Sequence, residues 1–273
     1  MAYNSADVWA NQDIFLLDEK RKPFLVGGVP PDYFSKTGQL WDTPVFDWDR
    51  LQRRNYDWWI ARIHHNLRMF DLVRIDHFRG LKSFWAVPYG EKTAVRGQWL
   101  KAHGDAMLRI LQSQLGHLPI IAEDLGTITD EVHELRKKYN LPGMKVLQFA
   151  FKSDASNEHL PHNYHKDFVV YTGTHDNDTT VGWLKSLSRK EGARVKRYLG
   201  TGQNDHWNII RAAFSSVAQI AIIPMQDILG LDSTARMNKP GTTRGNWQWR
   251  LPDSVGWEKE GEKLRELVLT YGR

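Results

Sequence analysis

Short apolar runs alternate with stretches of helical period along most of this chain, and that alternation restricts it to βα units around a parallel sheet. Five runs read as strands buried on both faces, because they are largely apolar instead of alternating: 70–75, 118–122, 145–151, 167–172 and 219–224. Helical spacing falls between them. Trp59, Ile63, Leu67 and Phe70 share one face ahead of the first run, and Met107, Leu108, Leu111 and Leu115 do so ahead of the second. Thr129 is placed to cap a helix carrying Val132 and Leu135. Ser188 with Glu191 has capping-box spacing ahead of Val195 and Leu199, and Asp205 is placed to cap a helix through Ile209, Ile210 and Phe214. A last helix is expected over 258–271 with Leu264, Leu267 and Val268 inward. Residues 1–50 break the pattern. They are rich in Gly, Pro and aromatics, with Gly27-Gly28-Val29-Pro30-Pro31 as a loop signal, and are expected to form an irregular segment with a short hairpin over 15–26.

With 273 residues, 41% of them apolar, the chain has material for a sizeable core. It has no cysteine, which excludes disulfides, thiolate metal sites and a Cys nucleophile. No charged-then-apolar leader pattern opens it, and its longest apolar stretch, around 220–225, is far short of the ~20 residues that span a bilayer. A soluble, cytoplasmic protein with no membrane association is expected. The net charge of +5 comes from basic residues interleaved with acidic ones, so no nucleic-acid partner is expected. The twelve Trp are more informative, because an indole ring packs a core but also stacks on the C–H face of a sugar. Trp41, Trp48, Trp247 and Trp249 lie in polar, Gly/Pro-rich segments. Trp58 and Trp59 lie on a helix, where at least one belongs to the core.

In a parallel α/β barrel the reacting groups sit at the C-terminal ends of strands. Three polar clusters follow expected strands. In Arg74-Ile75-Asp76-His77-Phe78-Arg79-Gly80, Asp76 ends the strand, and Arg74, two residues earlier, points to the same face. An Arg beside an Asp keeps the carboxylate ionised, as a nucleophile requires; a structural ion pair is the alternative. In Ile120-Ile121-Ala122-Glu123-Asp124-Leu125-Gly126, a Glu at the edge of an apolar wall has its pKa raised by desolvation, which suits a general acid. The alternative there is Asp124 capping the next helix and Glu123 pairing with a Lys. In Thr172-Gly173-Thr174-His175-Asp176-Asn177-Asp178-Thr179-Thr180 the density of polar groups suits a clamp on sugar hydroxyls. The Gly and distal Glu of a calcium loop are missing, so no metal is expected. Two acids flanking one bond make a glycosidase-type site, and a pair roughly 5 to 5.5 Å apart works by double displacement with retention.

These segments resemble the amylomaltase family of 4-alpha-glucanotransferases, a branch of the alpha-amylase superfamily. The resemblance is carried by Ser5-Ala6-Asp7-Val8-Trp9-Ala10, Gly28-Val29-Pro30-Pro31-Asp32-Tyr33-Phe34-Ser35, Gly38-Gln39-Leu40-Trp41 and the three clusters above. Asn238-Lys239-Pro240-Gly241-Thr242 and Asn246-Trp247-Gln248-Trp249-Arg250 complete it. It implies a (β/α)8 TIM-barrel type of α/β fold, with this chain carrying roughly the last five βα units behind the loop-rich segment 1–50. The chain is accordingly expected to be truncated at its N-terminus, with 51–273 as the C-terminal part of the barrel. The resemblance implies Asp76 as nucleophile, Glu123 as acid and then base, and Asp176 as stabiliser of an oxocarbenium-like transition state. It further implies Arg74 beneath the nucleophile, with His77 and His175 on sugar hydroxyls. Asp32, Tyr33 and Phe34 would form a lid over the acceptor side, Trp41 a stacking platform beside it, and Asn238 a donor or acceptor contact. No cofactor is implied. The partners would be malto-oligosaccharides and alpha-1,4-glucans, as donor and acceptor. The competing readings are a retaining alpha-glucan hydrolase and an inactive fragment that at most binds glucan.

Overall fold

The computed structural model describes residues 1–32, 35–200, 205–253 and 256–273, with the backbone alone at residue 205. The chain divides into two compact units, Met1–Pro142 and Gly143–Arg273.

The first unit holds helices α1 (Ala6–Ala10), α2 (Trp48–Arg53), α3 (Asp57–Leu67), α4 (Gly104–Leu115) and α5 (Asp130–Lys138). Its strands are β1 (Leu25–Val29), β2 (Gln39–Pro44), β3 (Val73–Ile75), β4 (Ser83–Pro88), β5 (Gln98–Lys101) and β6 (Ile120–Ala122). β3 and β6 pair in parallel, with Val73 opposite Ile120 and Ile75 opposite Ala122. α4 lays Met107, Leu108 and Leu111 into a core shared with Ile75, Phe78, Ile120, Ala122 and Leu135, as the helical spacing requires. The other four strands form an antiparallel sheet ordered β2-β1-β4-β5.

That sheet departs from the sequence reading. Residues 1–50 are not a separate irregular segment: β1 and β2 pair with each other, and β1 pairs with β4 from beyond residue 80. The expected hairpin shrinks to one bridge, Leu17 to Pro23, and Leu25 opens β1 instead. Gly28 permits the close approach of β1 and β2, since a Cβ there would lie 2.4 Å from the Gln39 carbonyl oxygen. The first parallel strand starts at Val73, because α3 closes at Leu67 and leaves Phe70 exposed on the connection.

One polar pair is sealed inside this unit. Arg136 on α5 meets Asp124 at 3.2 Å, both side chains almost fully buried, and its guanidinium also donates to the Leu141 carbonyl at 2.7 Å. Asp124 is therefore tied to the last turn of the following helix instead of capping its start. Arg136→Met would leave a buried carboxylate without its guanidinium, and is expected to cost about 3 kcal/mol, read as a fall in the urea midpoint. Adding Asp124→Asn should recover part of that loss; an unchanged midpoint in the single variant would refute the assignment.

The second unit is built on a parallel sheet of β7 (Gly143–Val146), β8 (Phe168–Tyr171) and β9 (Ile220–Ile222), in that order. The apolar run after β7 continues as a buried 3-10 turn, Leu147–Phe149, which is why it reads as a longer strand. The helices are α6 (Thr180–Ser186), α7 (Arg189–Leu199), α8 (Asp205–Ser215), α9 (Met225–Ile228) and α10 (Glu258–Tyr271). α7 opens with the reciprocal Ser188–Glu191 capping box. α10 buries Leu267 against Ile210 and Phe214 of α8, with Leu264 and Val268 beside it. No helix among the described residues is long and apolar enough to cross a membrane.

Candidate active site

In the first unit the parallel register puts Ile75 beside Ala122, so the next residues, Asp76 and Glu123, leave the sheet side by side at its C-terminal edge. Neighbouring strands lie about 4.8 Å apart, which starts the two side chains at the separation a retaining pair needs. Main-chain bonds lock the two exits together. Glu123 N–H donates to the Ile75 carbonyl at 3.0 Å, and Phe78 N–H donates to the Glu123 carbonyl at 3.0 Å.

The two carboxylates stand in different surroundings. Asp76 is 77% exposed and paired with the Arg74 guanidinium at 2.8 Å, on the shared face expected of residues two apart in a strand. Glu123 is largely enclosed. One of its oxygens accepts the His77 N–H at 2.6 Å and the other the Leu125 N–H at 2.9 Å. Burial pushes its pKa up, the two N–H donors pull it back in part, and the negative charge of Asp76 raises it further. The arrangement sets one open, ion-paired carboxylate beside one desolvated carboxyl.

The neighbours of the pair come from several segments. His77 takes a left-handed backbone (φ 49°), and the pKa of its half-buried imidazole is lowered to about 4 by desolvation and by Arg79, so it is neutral at pH 7. Trp41 on β2 sets its indole at right angles to that ring, with centroids 4.8 Å apart. Arg79 stacks 4.1 Å over Trp99 of β5 and donates to the Thr127 carbonyl in the loop after Glu123. It thereby ties the turn behind Asp76 to the loop behind Glu123, a role its place in the motif does not announce. Asp32 uses its carboxylate locally, accepting the Ser35 N–H at 2.7 Å. The expectations for Tyr33 and Phe34 lie outside the described residues.

In the second unit, β8 delivers the polar turn 172–180. Asp227 on α9 is fully buried and grips both ends of it. Its carboxylate accepts the Thr172 hydroxyl, the Thr180 N–H at 2.6 Å and the Thr180 hydroxyl at 2.8 Å. Burial raises its pKa against the pull of these donors. Gly173 lets Gln148 pass, since a Cβ there would lie 2.6 Å from the Gln148 amide nitrogen, which donates to the Asp178 carbonyl. At the centre of the turn, Asp176 accepts the Asn238 side-chain amide at 2.6 Å, and His175 lies 3.5 Å from the same carboxylate. Asn238 N–H donates to the His175 carbonyl at 3.0 Å, and Arg236 donates to the Asp176 carbonyl at 2.6 Å. His175, Asp176 and Asn238 are thus brought together. Arg236 and Asp227, which sequence reasoning did not single out, hold them in place. Among the described residues no group of three or more His, Asp or Glu is placed to hold a metal ion.

Two clefts mark these surfaces. One of about 460 Å³ lies along α3, lined by Arg54, Asp57, His64, His65 and Arg68. It contains none of the motif residues, and Arg54 is already paired with Asp13 and Asp57. A smaller cleft of about 200 Å³ in the second unit is lined by His175, Asp178, Asp227, Arg236 and Trp247. Size therefore does not pick out the chemistry here; the convergence of motif residues does.

Comparison with known proteins points to one family. A family model described as 4-alpha-glucanotransferase matches residues 1–255. The chain is 54% identical over 279 residues to a 4-alpha-glucanotransferase of Synechocystis, covering all of this chain and 55% of that protein. It is 52% identical over 278 residues to the chloroplastic/amyloplastic 4-alpha-glucanotransferase of Arabidopsis thaliana, covering all of this chain and 48% of that protein. The chain thus spans about half the length of the curated relatives it matches. An amylomaltase from Streptococcus agalactiae, solved in complex with acarbose, superimposes with a TM-score of 0.96 at 36% identity, over all of this chain and 56% of that one. A Corynebacterium glutamicum amylomaltase, 21% identical, shares the fold with a TM-score of 0.80, over all of this chain and 44% of that one. The fold class is the (β/α)8-barrel type, of which this chain carries a part.

Proposed function

This chain belongs to the 4-alpha-glucanotransferase family, and on that premise we propose that Asp76 and Glu123 move alpha-1,4-glucan segments between malto-oligosaccharides by retaining double displacement. The observation that carries the reading is the launch of both residues from adjacent parallel strands, with Glu123 accepting the N–H of the residue after Asp76.

In the first step an Asp76 oxygen attacks C1 of the donor sugar. The C1–O bond to the leaving chain breaks, and Glu123 gives its proton to the departing oxygen. In the second, the acceptor hydroxyl passes its proton to Glu123 and attacks C1, and the ester bond to Asp76 breaks. The electrostatics assist both halves. The charge of Asp76 helps keep Glu123 protonated before the first step. Conversion of that charge to a neutral ester withdraws the help, so Glu123 becomes the better base when a base is needed. Arg74 orients the nucleophile. The neutral His77, braced by Trp41, is a donor or acceptor for a sugar hydroxyl. In the second unit, Asp176, His175 and Asn238 would hold sugar hydroxyls. Asp32, Tyr33, Phe34 and Trp41 would shelter the acceptor side from water, which favours transfer over hydrolysis.

Incubation of the 273-residue chain with maltotriose tests the reading. A ladder of longer oligosaccharides beside shorter ones is expected. Glucose and maltose alone would mean hydrolysis by the same carboxylates, and unchanged maltotriose would contradict activity in this chain.

A further inference from the structure

Trp247 is not built like a core tryptophan. The residue is 54% exposed and belongs to no buried cluster among the described residues, whereas Trp48 and Trp183 are buried. Its backbone is left-handed, with φ +62°, a conformation that bulky residues avoid. The loop nevertheless fixes it firmly. Trp247 N–H donates to the Met237 carbonyl at 2.7 Å, and its own carbonyl accepts the Arg250 guanidinium at 2.9 Å. Next to it, the Asn246 side chain accepts the Lys239 N–H at 3.0 Å and donates to the Thr242 carbonyl at 3.0 Å. An exposed indole and a strained backbone both oppose folding, and a loop that keeps both is one where strain serves a site.

The place of the ring says which site. It stacks at a 34° tilt on the His175 imidazole, with centroids 5.3 Å apart, and it walls the small cleft that His175, Asp178 and Arg236 also line. A flat apolar wall beside carboxylate, imidazole and amide groups suits a ring with one C–H face and a rim of hydroxyls. We propose that Trp247 is a stacking platform for the glucosyl unit adjoining the one that His175 and Asp176 hold, so that it sets how strongly longer malto-oligosaccharides bind. This rests on the sugar-binding role assigned to His175 and Asp176.

Calorimetric titration of the 273-residue chain with glucose and with maltotetraose tests it, using Trp247→Leu, Trp247→Phe and Asp176→Asn. The Leu variant keeps apolar bulk without a flat ring. It should weaken maltotetraose about 5-fold or more while leaving glucose, which fills one unit only, within about 2-fold, and the Phe variant should stay near wild type. Equal weakening of both sugars by Trp247→Leu would make Trp247 a prop for His175 and overturn the platform. Wild-type binding in Trp247→Leu, with both sugars weakened in Asp176→Asn, would overturn the platform and leave the sugar-binding reading standing. No effect in Asp176→Asn, or no binding of either sugar to the wild-type chain, would overturn both.

Discussion

Asp76→Asn is expected to lower transfer from maltotriose by ~10⁴-fold or more while the protein stays folded. The amide keeps the shape of the carboxylate but cannot form the glycosyl ester. The change should be quiet structurally, because the side chain is 77% exposed and pairs with the half-buried Arg74. Removing such a surface pair shifts stability by about 0–1 kcal/mol, so the urea midpoint should barely move. Turnover near wild type would remove Asp76 as nucleophile. A collapse of stability with the activity would assign Asp76 a structural role instead.

Glu123→Gln should cost about 10³- to 10⁴-fold with maltotriose, the range of a lost proton-transfer catalyst. It should cost far less in the first step with a glycosyl fluoride donor, because fluoride departs without needing a proton. The variant also carries a pH signature. In the wild type the acid must be protonated, and burial together with the charge of Asp76 raises its pKa. Activity should therefore persist above the usual carboxyl range and fall as pH rises through the raised value. That alkaline limb should vanish in Glu123→Gln. Equal losses with maltotriose and the fluoride donor, or an unmoved alkaline limb, would take the acid role away from Glu123.

What could be read from the amino-acid order depended on how local each signal was. The parallel strands were legible because burial on both faces writes a continuous apolar run, as at Ile120–Ala122 and Phe168–Tyr171. Their ends were less so, because apolarity does not stop where pairing stops. Phe70 is apolar and exposed, and Leu147–Phe149, with Leu147 and Gln148 buried, is turned. The antiparallel sheet escaped notice since β4 and β5 are only partly buried and β1 carries two glycines. Asp76 and Glu123 were legible as acids ending strands, and Arg74 as the neighbour on the same face. Asp227 and Arg236 were not, because each acts on residues about 50 or 60 positions away through contacts that only the fold creates. Asp32 shows the reverse case: a motif residue whose carboxylate is engaged by the nearby Ser35 N–H.

The pairing of Asp76 with Glu123 as nucleophile and acid/base is best tested by catching the ester. Glu123→Gln treated with alpha-maltosyl fluoride should lose fluoride and stall, since nothing is left to activate the acceptor. Intact-mass and peptide mapping should then find one maltosyl group bound to Asp76. A maltosyl group on any other side chain, or rapid fluoride release with the protein left unmodified, would contradict the account.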